Sequence, residues 1–294
     1  MQLVIATRRS PLALTQTALV ADALTTLGHD VSTLEITTTG DRWSAEDGGE
    51  PPTRGLFVKE LELALLDGRA HLAVHSAKDL PADLPDGLAV VAVPARDDPR
   101  DVLVGSPEGL AGLPAGATVG TGSPRRAAQL RAARPDVDLV PIRGNVGTRL
   151  DKLDDVGLDA LVLAAAGLNR LGIRRGDVVP LEPVVCTPAP GQGLLAIEAL
   201  AGSAAAAALA DLDDRHAHTC LLAERRLLSA LGGGCMQPIG ALAVAAPADG
   251  LLQLTAFAGS ADGQRHRRTT LAGPAGDPCG LADRVADEIR EVRQ

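Results

Sequence analysis

Short apolar runs of strand length alternate with helical runs through most of this chain, and that alternation narrows the possible folds more than any other feature. Leu3–Thr7 reads as a strand, Leu12–Leu27 as a helix and Val31–Thr37 as a second strand. Phe57–Leu66 carries apolar residues at helical spacing, and His71–His75 and Leu88–Val93 return to strand patterning. Strands that alternate with helices build βαβ units, so the pattern predicts a largely parallel, doubly wound α/β sheet. A second series begins near Asp101: strand Thr118–Gly120, helix Pro124–Arg134, strand Val137–Ile142, helix Val146–Leu153, strand Leu161–Ala165 and the helical AAGLNRLG. The Ala-rich run Ala201–Leu212 reads as a further helix. From Arg215 the pattern changes to one helix ending at Leu231, three glycines, three strand-like runs and a C-terminal helix, which predicts a small α+β unit with an antiparallel sheet. The polar, Gly/Pro-rich segment Gly40–Gly55 interrupts the first series and reads as a mobile surface loop beside a binding cleft.

Composition decides what such a fold is for mainly by exclusion. Aromatic residues are 1% of the chain, so the cores must be built from Ala, Leu and Val, and base-stacking platforms for nucleic acid are absent. The net charge of −9 removes any general attraction to polyphosphate. No stretch approaches the roughly 18 consecutive apolar residues of a membrane span. The first residues, MQLVIATRRS, have no charged segment ahead of their apolar run and read as a strand, not a signal peptide. Cys186, Cys220, Cys235 and Cys279 show neither CxxC pairing nor a histidine at metal spacing, so no metal site is expected and a reduced, cytoplasmic protein is.

The local signals that carry chemistry are Gly-rich and cationic. In Val119-Gly120-Thr121-Gly122-Ser123-Pro124-Arg125-Arg126 a strand ends, Ser123 can cap a helix and Pro124 suits its first turn. Backbone N–H groups and the positive helix end then converge where an anion can sit, and Arg125 and Arg126 add charge at that spot. An ordinary capped surface helix is the alternative. The dinucleotide fingerprint fails, because Arg125 stands where its third glycine belongs. Arg143 and Arg149 flank a second such turn, and Arg8 ends the first strand. Ligands of open α/β sheets bind beyond the carboxyl ends of strands, so arginines at three such turns imply a ligand with several carboxylates or phosphates. Solvated surface arginine explains any one of them. In His75-Ser76-Ala77-Lys78-Asp79-Leu80-Pro81, an aspartate beside a cation stays ionised and suits stabilising developing positive charge, unless it is simply a surface turn. His75 alone reads as a structural residue. Cys235 follows three glycines that leave the backbone bare, so a bulky group can approach its sulfur; the other cysteines read as structural.

HSAKDLP, VGTGSPRR, IRGNVGTRL, AGLNRLG, PAPGQG and GGGCMQPIG occur in this order over nearly the full length, with IATRRSPLAL at the start and RGLFVKELE at 54–62. As a set they resemble the porphobilinogen deaminases (hydroxymethylbilane synthases). The resemblance implies a transferase that joins four porphobilinogen molecules head to tail with loss of ammonia and releases hydroxymethylbilane. It implies a dipyrromethane cofactor, one per chain, held by a thioether to Cys235, and Asp79 as the catalytic carboxylate. Ser76, Lys78, Thr121, Ser123, Arg125 and Arg126 match cofactor-binding positions. Arg8, Ser10, Arg143, Arg149 and Arg170 match positions that bind substrate carboxylates, and Phe57 a ring that stacks in the cleft. Two periplasmic-binding-protein-like (type 2) domains, 1–98 with 189–212 and 99–188, are implied, with a third α+β domain at 213–294. Hinges are expected near Pro94–Asp101 and Thr187–Gly191, and the enzyme is expected to be a cytoplasmic monomer without nucleic-acid or membrane partners. Two other classes compete. An anion-binding protein would need neither Cys235 nor a third domain, and a nucleotide-dependent enzyme lacks a Walker Lys-Ser/Thr pair.

Overall fold

A computed structural model describes residues 1–40, 57–233, 237–260 and 262–290. Most of the Gly40–Gly55 loop, and Cys235, lie outside the described residues. In chain order the elements are β1 (Gln2–Arg8), α1 (Pro11–Thr26), β2 (Asp30–Ile36), α2 (Lys59–Leu66), β3 (Leu72–Ser76), β4 (Leu88–Ala92), β5 (Asp101–Val104), β6 (Thr118–Gly120), α3 (Pro124–Ala133), β7 (Asp138–Val140) and α4 (Val146–Val156). They continue as β8 (Ala160–Ala164), α5 (Ala165–Arg170), β9 (Val178–Leu181), β10 (Leu195–Leu200), α6 (Ala204–Ala207), α7 (Arg215–Ala230), β11 (Ile239–Ala246), β12 (Leu251–Gly259), β13 (His266–Pro274) and α8 (Pro278–Ile289). The chain forms two compact units, Met1–Arg96 with Leu194–His218, and Asp97–Gly193 with Thr219–Gln294. Among the described residues no helix is long and apolar enough to cross a membrane.

The first unit is built on a five-stranded sheet of order β2-β1-β3-β10-β4. Residues alternate between its two faces, as the period-two geometry of a strand requires. Leu3, Ile5, Leu72, Val74 and Ile197 pack with Val20 and Leu24 of α1, while Ala6 and Ala73 pack with Leu61, Ala64 and Leu65 of α2 on the other side. Small alanines there let α2 approach the sheet closely, which is how a core nearly free of aromatics closes.

The second unit holds a five-stranded sheet of order β7-β6-β8-β5-β9 and a three-stranded antiparallel sheet, β11-β12-β13. The smaller sheet packs through Leu252, Leu254 and Ala256 against Leu227 of α7 and Leu281, Val285 and Ile289 of α8. Its β11 comes so close to the preceding chain that a Cβ on Gly240 would stand 2.8 Å from the Thr187 carbonyl oxygen. Ala241 N–H donates to the Pro188 carbonyl at 2.8 Å across the same approach.

Two expectations need correction. The large sheets are mixed rather than largely parallel: β10 runs antiparallel to β3 and β4, and β5 antiparallel to β8 and β9. Each of these strands follows a passage of the chain from one unit to the other, so it does not enter by the helical crossover that makes a neighbour parallel. The Ala-rich run is also not one helix. A single turn at α6, capped by Ser203, gives way to a 3-10 turn over Ala210–Leu212. That break buries Leu209 and lets Asp213 accept from the Val93 N–H at 2.8 Å, so tertiary anchoring overrides alanine's helix propensity.

Candidate active site

Parallel neighbours β1 and β3 deliver Arg8 and Ser76 to the same edge of the first sheet, at the carboxyl ends of their strands. After Arg8 the chain turns into α1, where the Ser10 Oγ accepts from the Ala13 N–H at 3.3 Å and Pro11 fills the first helical position. The Arg8 guanidinium lies 4.0 Å from the centre of the Phe57 ring, a cation–π contact that orients both groups. After Ser76 the chain enters a 3-10 turn over Ala77–Asp79, with Lys78 half-buried and the Asp79 carboxylate exposed. Ser76 Oγ meets Gln16 of α1, with the Gln16 Nε2 donating at 2.9 Å. Arg8, Ser10, Gln16, Phe57, Ser76 and Asp79 line one open pocket at this edge. A cation, a helix N-terminus and hydroxyls beside a free carboxylate suit a ligand that is anionic at one end and becomes positive at the other. Gln16 escaped the sequence reading; its signal is a polar residue at 3% exposure on the buried face of a helix.

Behind this pocket lies a buried cluster of ionisable groups. The β3–β10 register sets His75 opposite Ala196, so Glu198, two residues on, shares its face of the sheet. His75 Nε2 and Glu198 Oε2 are 3.0 Å apart with both side chains buried. Glu62 approaches from α2, and burial, reinforced by Glu198 against the opposing pull of His75, pushes its carboxyl above the ordinary range. Oε1 of Glu62 and Oε1 of Glu198 have no hydrogen-bond partner among the described residues. The sequence signal was an acid inside the apolar run Leu194-Leu195-Ala196-Ile197-Glu198-Ala199-Leu200.

In the second unit, the Gly-rich turn forms as its spacing predicts. Ser123 caps α3, with its Oγ accepting from the Arg126 N–H at 3.4 Å, and Thr121 is buried beside it. A Cβ on Gly122 would stand 2.5 Å from the Ile142 carbonyl oxygen, so only glycine lets the two loops pass. Arg125 and Arg126, however, do not project from the turn. Both fold inward onto Asp101 at the start of β5, with Arg125 Nη1 donating to Oδ2 at 2.6 Å and Arg126 Nη2 to Oδ1 at 2.8 Å. Gln192 Nε2 adds a bond at 2.9 Å and the Cys186 thiol another at 3.2 Å. Spacing could not foresee this, because Asp101 reaches the arginines only once β5 is inserted in the sheet. Burial acts to raise the Asp101 carboxyl, but Arg125 and Arg126 outweigh it and hold it well below the usual carboxylate range. Burial and then Asp101 push the Cys186 thiol up to about 12, so it stays protonated. Arg268 of β13 joins the margin of the cluster, donating to Thr187 Oγ1 at 2.9 Å and Gln129 Oε1 at 2.8 Å.

The other arginines are partly committed as well. Arg149 Nε donates to the Gly144 carbonyl at 2.8 Å, and Arg143 is exposed on the same turn. Arg170, at the end of α5, donates to the Gly193 carbonyl at 2.7 Å and lies 3.7 Å from Asp97. Against Asp101, Arg125 and Arg126 leave one positive charge in excess, and the buried Nε of Arg125 has no partner among the described residues. With the bare backbone at Gly122 and the capped start of α3, these donors fit a group that carries several carboxylates.

Residues 3–208 match the family model of the porphobilinogen deaminase dipyrromethane cofactor binding domain, and residues 218–291 that of the porphobilinogen deaminase C-terminal domain. The chain is 48% identical to a porphobilinogen deaminase of Roseiflexus castenholzii, over 99% of this chain and 96% of that protein. It is likewise 48% identical to one of Stenotrophomonas maltophilia, over 96% and 94%. Among solved structures it is similar to lipoprotein Tp32 of Treponema pallidum, at 14% identity and a TM-score of 0.45, over 71% of this chain and 88% of that one. On the family models and these relatives, the chain belongs to the porphobilinogen deaminase family and carries its dipyrromethane cofactor binding domain.

Proposed function

We propose that this chain is a transferase that condenses four porphobilinogen molecules head to tail, with loss of ammonia, and releases hydroxymethylbilane. The observation that carries the reading is the pocket of the first unit, where Arg8, Ser10 and Phe57 stand beside the exposed Asp79. When bound through a thioether to Cys235, the dipyrromethane supplies the primer that the chain extends. Ser76, Lys78, Thr121 and Ser123, together with the positive excess on Arg125 and Arg126, would hold its acetate and propionate groups. Arg8, Ser10, Arg143 and Arg149 would bind substrate carboxylates, and Arg170 would join them by exchanging Asp97 for a ligand oxygen. Phe57 orients Arg8 and offers the incoming pyrrole a face. Asp79 opposes the positive charge that develops as ammonia departs, an electrostatic role that strengthens as the pocket excludes water.

The reading assigns three domains, 1–98 with 189–212, 99–188 and 213–294, and the three separate sheets support it. It also makes the enzyme a cytoplasmic monomer acting on a small molecule. Intact-protein mass spectrometry is the test. A mass excess of two condensed pyrrole units, absent from Cys235→Ser, is expected, and acidified aldehyde reagent should colour the wild type only. Asp79→Asn should keep the excess and lose about 10²-fold or more of kcat. A wild-type chain that stays unmodified after incubation with porphobilinogen overturns the reading.

A further inference from the structure

The buried cluster behind the pocket has no part in the mechanism above. Three ionisable side chains from three elements, His75 of β3, Glu198 of β10 and Glu62 of α2, sit in a layer otherwise made of Ala and Leu. Burying such groups costs stability unless they are paired, and two of their carboxylate oxygens have no partner among the described residues. His75 is the member that also lines the pocket, alongside Arg8, Ser76 and Asp79. A hydrogen on Nε2, donated to Glu198 Oε2 at 3.0 Å, leaves the Nδ1 lone pair without a hydrogen-bond partner among the described residues. A carboxylate that fixes the tautomer of an imidazole facing a pocket is the arrangement of an oriented general base.

We propose that His75, oriented by Glu198, accepts the proton that each condensation releases. This rests on the deaminase reading. In that reaction the carbon–nitrogen bond of the substrate's aminomethyl group breaks and its electron pair leaves with nitrogen as ammonia. The α-carbon of a second pyrrole forms the new carbon–carbon bond to that methylene. The α-carbon then gives up its hydrogen as a proton, and the C–H pair returns to the ring. Asp79 is required as an anion throughout, so a separate acceptor relieves it of the proton. His75 Nδ1 takes it, and the imidazolium so formed is matched by the Glu198 carboxylate already in contact with Nε2. Glu198 is a positioning residue, since it acts only through His75. The charged and titratable groups facing His75 are Glu198 from β10, Glu62 from α2, Arg8 from the end of β1 and Asp79 from the turn after β3; α1 presents the neutral Gln16.

The test uses the cofactor-loaded enzyme and its His75→Gln and Glu198→Gln variants, with loading checked by intact mass. Imidazole nitrogen NMR of the wild type should find His75 protonated at Nε2 and bare at Nδ1, and Glu198→Gln should shift that tautomer. His75→Gln should lower kcat by about 10²-fold, with KM changed by less than about threefold, and lose the acidic limb of the kcat–pH profile. Glu198→Gln should displace that limb without removing it, an effect that a purely structural role would not produce. A wild-type proton on Nδ1, or an unchanged acidic limb in either variant, overturns the proposal. Should His75→Gln fail to load, Glu198→Gln and the NMR measurement decide it. If the wild type carries no pyrrole mass and makes no product, it is the deaminase reading that fails.

Discussion

Replacing Asp101 by Asn tests the buried charge cluster of the second unit. Asp101 is fully buried, and its Oδ1 accepts from Arg126 Nε at 3.0 Å, Arg126 Nη2 at 2.8 Å and Gln192 Nε2 at 2.9 Å. Its Oδ2 accepts from Arg125 Nη1 at 2.6 Å and the Cys186 thiol at 3.2 Å. Asparagine turns one of these oxygens into an NH₂, so at least two donors then face another donor whichever way it rotates. It also leaves Arg125 and Arg126 buried without a counter-ion. Removing one partner of a buried pair costs about 3–5 kcal/mol, a large part of the roughly 5–15 kcal/mol that holds a domain folded. With a urea slope of about 2 kcal/mol/M, the unfolding midpoint of this unit should fall by about 1.5–2.5 M. Two units need not unfold together, so hydrogen-exchange mass spectrometry on peptides from α3 and β5 is the assay. Asp101→Asn/Arg125→Met should destabilise less than the sum of the two single changes. The Asp101 carboxyl is depressed in the folded state, so its contribution is present above its ordinary range and fades as pH falls below about 4. The gap between wild type and variant should narrow in that window. A loss below about 1 kcal/mol, or strict additivity in the double variant, refutes the reasoning.

Glu62→Gln has the opposite sign. The folded-state carboxyl is raised, so wild-type stability declines as pH climbs above the ordinary glutamate range. The variant should match wild type near pH 4 and melt at a higher temperature at pH 8, as thermal unfolding at the two pH values will report. Among the described cysteines, the exposed Cys279 should alkylate in the native protein while the buried Cys186 and Cys220 stay unmodified until denaturant is added; peptide mapping reads the difference. Gly122→Ala drives a Cβ against the Ile142 carbonyl and should cost about 1–3 kcal/mol. It should also lower the fraction of chains carrying the pyrrole mass excess, measured on intact protein.

Much of the site was legible because its residues sit at chain-local landmarks. Ser123 announces itself as a cap ahead of Pro124 and caps its helix in the structure, while Ser10 ahead of Pro11 does the same for α1, which starts before the expected Leu12. Arg8 ends β1 and Asp79 lies in the turn that follows β3, where a sheet exposes its ligand-binding edge. Arg125 and Arg126 were legible as residues but not in direction, because the acid that turns them inward lies 24 and 25 positions earlier in sequence. The His75–Glu198 contact is more remote still, at a separation of 123 residues.

The alternation of strands and helices, the apolar faces that pack them and the turns that present polar groups can all be read along the chain, because periodicity and capping act over a few neighbouring residues. Family membership is legible in the same way, through ordered motifs spread over the chain. Long-range packing sets the antiparallel direction of β5 and β10, the break of the Ala-rich run after one turn, and the choice of which charges meet in the interior. Those outcomes depend on distant segments being brought side by side, where burial makes an unpaired charge costly and so selects its partner.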